Sequence, residues 1–362
     1  MRRPRVKVAH RPVRLVQIGG IVPGIGAIVP DPDGRLWDLL QALDGKRTME
    51  QVVADVLASH PQAVEQDIRQ AIDDLVHEGY LEDADRLEPV GIPAADRERY
   101  SRTLEWFRWV DRTPGRTGWE VQRLLGEAKV AVVGVGGVGS VAALALTTWG
   151  IGHVHCVDGD VVKLSDLNRQ GPYTEQDVGY PKAEAAERRL RTYNSGVQVS
   201  GQVLEIGGPE AMRSLADKYD VLVLAVDRPA IRSWANRACL DTGTPWVLGG
   251  YHGPLVSVGL YRPGEGPCYE CGYADERLRR EVLLSRTEGV PAAGAESVHA
   301  ASAATAGMGG HLVALATISL ITGAPNLPVN QQYAYSLITL VDSFALGPES
   351  PVPGCPACGG RG

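Results

Sequence analysis

The sequence predicts an α/β protein: a Rossmann-like, mostly parallel sheet with a structural zinc site, preceded by a small winged-helix-like α+β domain. Three observations predict it. From about residue 130 onward, short apolar runs ending at Gly or Asp alternate with helix-length stretches. Residues 5–82 read as short strands followed by three helical patterns. Two C-x-x-C pairs, Cys268/Cys271 and Cys355/Cys358, lie far apart along the chain.

The 362 residues leave room for two domains, and 44% hydrophobic with 22% charged residues is the composition of an ordinary globular chain. A net charge of −7 argues against a general nucleic-acid surface. Only the start is basic, where Arg2, Arg3, Arg5, Lys7, Arg11 and Arg14 have no acid among them, and it reads as a solvated arm. The apolar run from Val13 to Pro30 is broken by Gly19, Gly20, Pro23, Gly24 and Gly26, which suits strands and turns better than a signal-peptide core. No run of ~20 unbroken apolar residues exists, so no membrane span is expected. Six cysteines, four of them at metal spacing, do not read as a secreted disulfide scaffold, and the expected location is cytoplasmic.

In chain order, residues 5–30 suit two or three strands with glycine turns. A first helix is expected over Arg35–Leu43, with Leu36, Leu39, Leu40 and Leu43 on one side. A second follows the capping box Thr48-x-x-Gln51, ahead of Val52, Val53, Val56 and Leu57. A third places Val64, Ile68, Ile72, Leu75 and Val76 at helical spacing and stops at Gly79, before Tyr80-Leu81. These elements define a domain over residues 1–82. Its acids outnumber its bases and no basic recognition helix stands out, which argues against DNA. Residues 83–97 are charged and proline-bearing and suit a linker, and 98–362 form the larger domain. Tyr100–Val110 reads as a helix and 112–118 as a loop. Val130–Val133 then reads as a buried strand, 134–140 as a glycine turn and Val141 onward as a helix. A strand Val154–Val157 ends at Asp158, a helix covers Lys182–Tyr193, and a strand Val221–Val226 ends at Asp227.

Gly134, Gly136, Gly137 and Gly139 would let the backbone approach a phosphate at a helix N-terminus. Asp158 stands 19 residues after Gly139, where such folds place an acid on the ribose. Those residues alone point first to a nicotinamide-dependent dehydrogenase. The C-x-x-C pairs, as four thiolates, point to a closed tetrahedral Zn²⁺ site, with a redox dithiol as the alternative. Cys156 and Cys239 fall inside a strand and a helical run and read as inert core thiols.

The segment Asp158-Gly159-Asp160-Val161-Val162-Lys163-Leu164-Ser165-Asp166-Leu167-Asn168-Arg169-Gln170 resembles the D-x-D-x-V-x-x-S-N-L-x-R-Q of the ubiquitin-activating-type (ThiF/MoeB/HesA) adenylyltransferase family. Gly179-Tyr180-Pro181-Lys182 is similar to the family's G-x-P-K, and Asp227 to its T-D-N aspartate. The resemblance covers about residues 97–362. It implies ATP bound at the glycine loop with Asp158, Asp160, Asn168 and Gln170. It further implies Arg169 and Lys182 as catalytic cations, Asp227 as the Mg²⁺ ligand, and a four-cysteine Zn²⁺ site pinning the C-terminal tail. Tyr100-Ser101-Arg102 resembles a Y-N-R segment whose arginine enters the neighbouring subunit's site, which implies a homodimer. Two positions depart: Asp166 replaces the asparagine before Leu167, and Arg228 the one after Asp227. Asp166 brings a negative charge toward the phosphates that Arg228 or Mg²⁺ would have to compensate.

Leu43-Asp44-Gly45-Lys46-Arg47-Thr48 with Gln51-Val52-Val53 resembles the PqqD-like element of ribosomal peptide maturation enzymes, which grips an extended leader peptide by strand addition. A purely structural or dimerising winged helix is the alternative. Residues 272–298, where many relatives carry a reactive cysteine, contain none; Ser297, Ser302 and Thr305 lie in or near that region. The expected function is therefore ATP-dependent adenylylation of a precursor peptide's carboxylate without an enzyme thioester, as in MccB-like enzymes. The alternatives are activation of a ubiquitin-like sulfur carrier and a non-catalytic leader-binding scaffold.

Overall fold

The computed structural model describes residues 2–4, 9–11, 14–20, 22, 24–86, 92–272, 300–340 and 343–359. Strands β1 (Arg2–Pro4), β2 (Ala9–Arg11), β3 (Leu15–Ile18) and β4 (Ala27–Pro30) precede helices α1 (Arg35–Ala42), α2 (Met49–Ser59) and α3 (Glu65–His77), then β5 (Leu81–Asp83). Helices α4 (Ala94–Arg99), α5 (Ser101–Val110) and α6 (Gly118–Glu127) lead to β6 (Lys129–Val133), α7 (Gly137–Trp149) and β7 (His153–Asp158). There follow α8 (Lys182–Tyr193), β8 (Gln198–Val203), α9 (Pro209–Ala216), β9 (Val221–Leu224), α10 (Pro229–Thr242), β10 (Trp246–His252) and β11 (Leu255–Tyr261). Next come a short helical turn that follows Cys268 and bears Cys271, α11 (Ala303–Thr322), β12 (Gln331–Ser336) and β13 (Ser343–Leu346).

The chain forms two compact units, residues 1–123 with 324–326, and residues 124–323 with 327–362. In the first, β2-β3-β4 form an antiparallel sheet and β1 pairs with β5. Its core joins Val16 and Ile18 to the apolar stripes of α1, α2 and α3. The Thr48 box closes as its sequence predicts: Gln51 N–H donates to Thr48 Oγ1 at 3.3 Å, and Thr48 N–H to Gln51 Oε1 at 2.9 Å. The start of α1 is held differently, by buried Asp31, whose two oxygens accept the N–H groups of Leu36 and Trp37.

The second unit is built on an eight-stranded sheet of order β13-β12-β11-β10-β9-β6-β7-β8. The run β10-β9-β6-β7-β8 is parallel and β10-β11-β12-β13 antiparallel, so the parallel half carries the Rossmann-like character. β6 lies between β7 and β9, and the crevice beyond its C-terminal end is the switch point where such sheets bind ligands. Helix α11 packs on α7, β10 and β11. Its 20 residues, of mean hydropathy 1.5 in the most apolar window, are long and apolar enough to cross a membrane by length and composition. Here most of that window is buried within the fold instead. A Cβ on Gly310 would sit 2.5 Å from that of Val141, so glycine sets the close approach of α11 to α7.

Candidate active site

Val130–Val133 of β6 are fully buried, and the strand stops at Gly134, whose φ of +83° is strained for any other residue. Gly136 caps α7, whose first turn contains Gly137 and Gly139. Gly139 is buried beneath the loop: a Cβ there would lie 1.7 Å from the Gly134 carbonyl oxygen. That neighbour is backbone and has no rotamer to yield. Gly139→Ala is therefore expected to cost about 3 kcal/mol, or about 6–12 °C in Tm by thermal unfolding. A variant melting with the parent chain refutes the steric account.

Asp158 ends β7 beneath this loop. Its Oδ2 accepts the Val135 N–H and its Oδ1 the Asp160 N–H, both at 2.8 Å. Burial pushes its pKa up, and the two backbone donors and Lys182 only partly offset that. Each oxygen keeps a lone pair that could accept a ribose hydroxyl. The chain after β7 then folds back on the start of α8: Val161 bridges Pro181, and Lys182 N–H donates to the Asp160 carbonyl at 2.8 Å. The Tyr173 hydroxyl lies 2.8 Å from the Val135 carbonyl and 3.2 Å from that of Lys182, pinning α8 to the glycine loop.

This fold-back delivers the cations. Lys182, 7% exposed, places Nζ 3.1 Å from Asp160 Oδ2 and 3.8 Å from Asp166 Oδ2. Asp166, 5% exposed, also reaches Arg169 Nη2 at 3.3 Å and accepts the Lys163 N–H at 3.0 Å. The charge at this departing position is thus compensated by the two catalytic candidates. Of the two compensating charges the sequence suggests, Arg228 pairs with Glu205, and Mg²⁺ is the other. Arg169 Nη1 donates to the Ser165 carbonyl at 2.9 Å and to Asn168 Oδ1 at 3.0 Å. Arg169 Nε and Gln170 Oε1 are buried without a hydrogen-bond partner among the described residues. A buried donor and acceptor left open beside one cleft call for a ligand offering both acceptor and donor atoms.

The cleft has a volume of about 560 Å³, within the usual range of small-molecule sites. Gly134, Gly136, Gly137, Asp158, Asp160, Arg169, Gln170, Lys182 and Asp227 all line it. Three other expected residues do not. Gly139 lies under the loop, Asn168 is exposed and holds Arg169, and Arg102 is an exposed residue of α5 in the first unit. Glu205 and Tyr251 also line the cleft and were not singled out from the sequence. Tyr251 had one usable signal, the Gly249-Gly250 pair ending an apolar strand; its hydroxyl would lie 3.3 Å from a Cβ on Gly137.

Cys268, Cys271, Cys355 and Cys358 converge with all four sulfurs within 4.8 Å of one another. The closer S···S separations are 3.8, 3.8 and 3.5 Å. A tetrahedral ion with metal–sulfur bonds of ~2.3 Å has edges of ~3.8 Å, so these residues fit a Zn²⁺. The Asn236 amide donates to Cys268 Sγ at 3.5 Å. Cys156 and Cys239 are fully buried, and burial pushes both thiols up, Cys156 to about 12. Ser302 and Thr305 form the capping box of α11, and Ser297 lies outside the described residues.

Residues 100–357 match the ThiF family. The chain is 31% identical over 242 residues to the sulfur carrier protein ThiS adenylyltransferase of Escherichia coli (strain K12), covering 66% of this chain and 88% of that one. It is 36% identical over 152 residues to the adenylyltransferase and sulfurtransferase MOCS3 of Arabidopsis thaliana, covering 42% and 32%. It spans less than half the length of the first curated relatives it matches. Its fold is shared with the crystal structure of E. coli MccB, at a TM-score of 0.77 and 23% identity, over 99% of this chain and 97% of that one. The same protein has been solved with ATP and with MccA. The matched span contains the glycine loop, the fold-back and three of the four clustered cysteines, Cys268, Cys271 and Cys355, and the chain belongs to the ThiF family.

Proposed function

We propose that this chain adenylylates a carboxylate of a ribosomally made precursor peptide, that of the C-terminus, to give an acyl-adenylate without an enzyme thioester. Residues 1–82 would recognise the peptide, 83–97 link, and 98–362 carry the chemistry. The observation that carries this reading is the extent of the likeness to MccB. It runs over 99% of the chain, the N-terminal unit included, whereas the E. coli ThiS adenylyltransferase aligns with 66%. Binding the peptide at one site raises the effective concentration of its reactive end at the other.

In the cleft, the N–H groups at the start of α7 favour the phosphates and Asp158 the ribose. Arg169 and Lys182 exchange their carboxylate partners for phosphate oxygens, and the open Arg169 Nε gains an acceptor. A substrate carboxylate oxygen bonds to the α-phosphorus as the bond to the β-phosphate bridging oxygen breaks, and pyrophosphate leaves with the electron pair. An amine, amide, thiol or sulfide then displaces AMP. The lining holds five carboxylates (Asp158, Asp160, Asp166, Glu205 and Asp227) against four cations (Lys163, Arg169, Lys182 and Arg228). This balance cannot by itself neutralise ATP's roughly four negative charges. Asp227 would hold a Mg²⁺ that offsets the remainder. Arg102 of a second copy would complete each site in a homodimer. Every cysteine of the chain is either in the four-sulfur cluster or buried in the core, which favours direct attack on the adenylate.

Peptide-dependent exchange of labelled pyrophosphate into ATP tests the proposal, using small peptides encoded beside the gene. Exchange only with a small carrier protein ending in Gly-Gly would favour the second reading, sulfur-carrier activation, which the names of the curated relatives support. A covalent thioester trapped on the chain would sink the direct-attack step.

A further inference from the structure

Within the N-terminal unit, a groove of about 530 Å³ runs between β4 and α3. Its floor is apolar, with Ile18, Leu36, Leu39, Ile68 and Leu75. β4 pairs with β3 on one side only; its other edge has no strand partner among the described residues. The opposite wall is a stripe of α3, Asp67, Ala71 and Asp74, continued by the C-cap residue Glu78, whose spacing places them on one side of the helix. Exposed Asp33 stands on the rim with these three acids. The one cation among the lining residues, Arg35, already lies 3.7 Å from Asp33.

A charged helix face is most often merely solvated, but the two flanks of α3 differ. Away from the groove Glu65 is paired with Arg69 at 2.8 Å. On the groove side the neighbours of Asp74 one turn away are Gln70, which donates to it at 2.8 Å, Ala71, His77 and the like-charged Glu78, with no Lys or Arg among them. Acids at i and i+4 destabilise a helix on their own. They become favourable when a cation lies between them.

We infer that this groove selects an extended segment of alternating apolar and basic side chains. The inference rests on the peptide reading above and narrows its substrate class. Strand addition to the free edge of β4 supplies the main-chain hydrogen bonds. Successive side chains of a strand point to opposite faces, so apolar residues enter the groove while Lys or Arg reaches the acids on its rim.

Fluorescence anisotropy on the full chain tests this with three labelled synthetic 12-residue peptides. All alternate Leu and Val with a second residue, which is Lys, Gln or Glu. At low salt the Lys peptide is expected to bind about tenfold more tightly than the Gln peptide, and the advantage to shrink as salt rises. Neutralising the stripe (Asp67→Asn, Asp74→Asn, Glu78→Gln) removes that advantage without lowering Tm, and Ala71→Trp, which fills the groove, abolishes binding. Equal binding of all three peptides that Ala71→Trp still blocks overturns the charge selectivity and leaves the peptide reading standing. Lys-peptide binding indifferent to Ala71→Trp, or no binding at all, overturns the groove itself. Peptide-dependent pyrophosphate exchange then decides separately whether the peptide reading survives.

Discussion

Arg169→Ala and Lys182→Ala are each expected to lower pyrophosphate release by about 100- to 1,000-fold at saturating ATP, the usual loss when a preorganised donor to developing charge is removed. The geometry makes the two losses interdependent. Both side chains lean on Asp166, with Arg169 Nη2 at 3.3 Å and Lys182 Nζ at 3.8 Å. Removing either cation leaves a carboxylate that is 5% exposed with less compensation, so part of each defect is a stability defect. The two contributions separate by adding Asp166→Asn. That change removes the stranded charge, so Arg169→Ala/Asp166→Asn should regain Tm relative to Arg169→Ala alone while pyrophosphate release stays low. Recovery of both Tm and rate would mean that Arg169 serves only to neutralise Asp166. Because the cations share one partner, the double variant Arg169→Ala/Lys182→Ala should lose less than the product of the single losses. Arg169→Lys should rescue poorly, since an ammonium cannot replace Nε, the donor the fold leaves open, together with the Nη groups bound to Ser165, Asn168 and Asp166.

Where the chain uses strongly patterned local chemistry, its sequence was enough. α8 covers Lys182–Tyr193, the bounds its pattern predicts, and the Thr48 capping box closes with both hydrogen bonds. β7 carries Asp158 at its end because an apolar run stops at the first acid. α11 escaped notice because Ala, Gly, Ser and Thr leave it with no polar face; it is buried nearly all round, and helices of that kind give no 3.6-residue signal. Glu205 and Tyr251 enter the cleft from the ends of β8 and β10, elements far from the glycine loop in sequence, so only the sheet order brings them there. The partners of Asp166 depend on tertiary structure for a related reason. Spacing places Arg228 one residue after Asp227, but Arg228 starts α10 and finds Glu205, while the Asp160–Lys182 fold-back turns Lys182 toward Asp166. Local motifs name the charged groups; the tertiary fold-back decides which of them pair.

Replacing one cysteine of either pair, Cys268→Ser or Cys355→Ser, is expected to reduce bound zinc from about one ion per chain to none and to lower Tm by 10 °C or more. The argument is geometric. The pairs are 87 residues apart, yet Cys268 Sγ is as far from Cys355 Sγ as from its own near neighbour Cys271 Sγ, 3.8 Å in both cases. A dithiol redox site would bring two sulfurs together and leave the other pair free to drift. Four sulfurs that all lie within 4.8 Å of one another can share a single tetrahedral ion. The rest of the cluster is thin: Leu240, Val352 and Ala357 pack on it, and Arg237 is tied to Glu270 at 3.2 Å on a mostly exposed guanidinium. With so few apolar neighbours, a metal bound by the four thiolates would supply much of what holds residues 350–359 against the chain entropy released when the tail is freed. Elemental analysis and thermal melts of both variants, with a chelator titration of the parent chain, check this. If Cys355→Ser keeps its zinc while Cys268→Ser loses it, the two pairs act separately and the single four-sulfur site is wrong. Neither variant touches the cleft lining, so residual pyrophosphate release at low temperature should exceed that of Arg169→Ala, and its loss on warming should follow the melt.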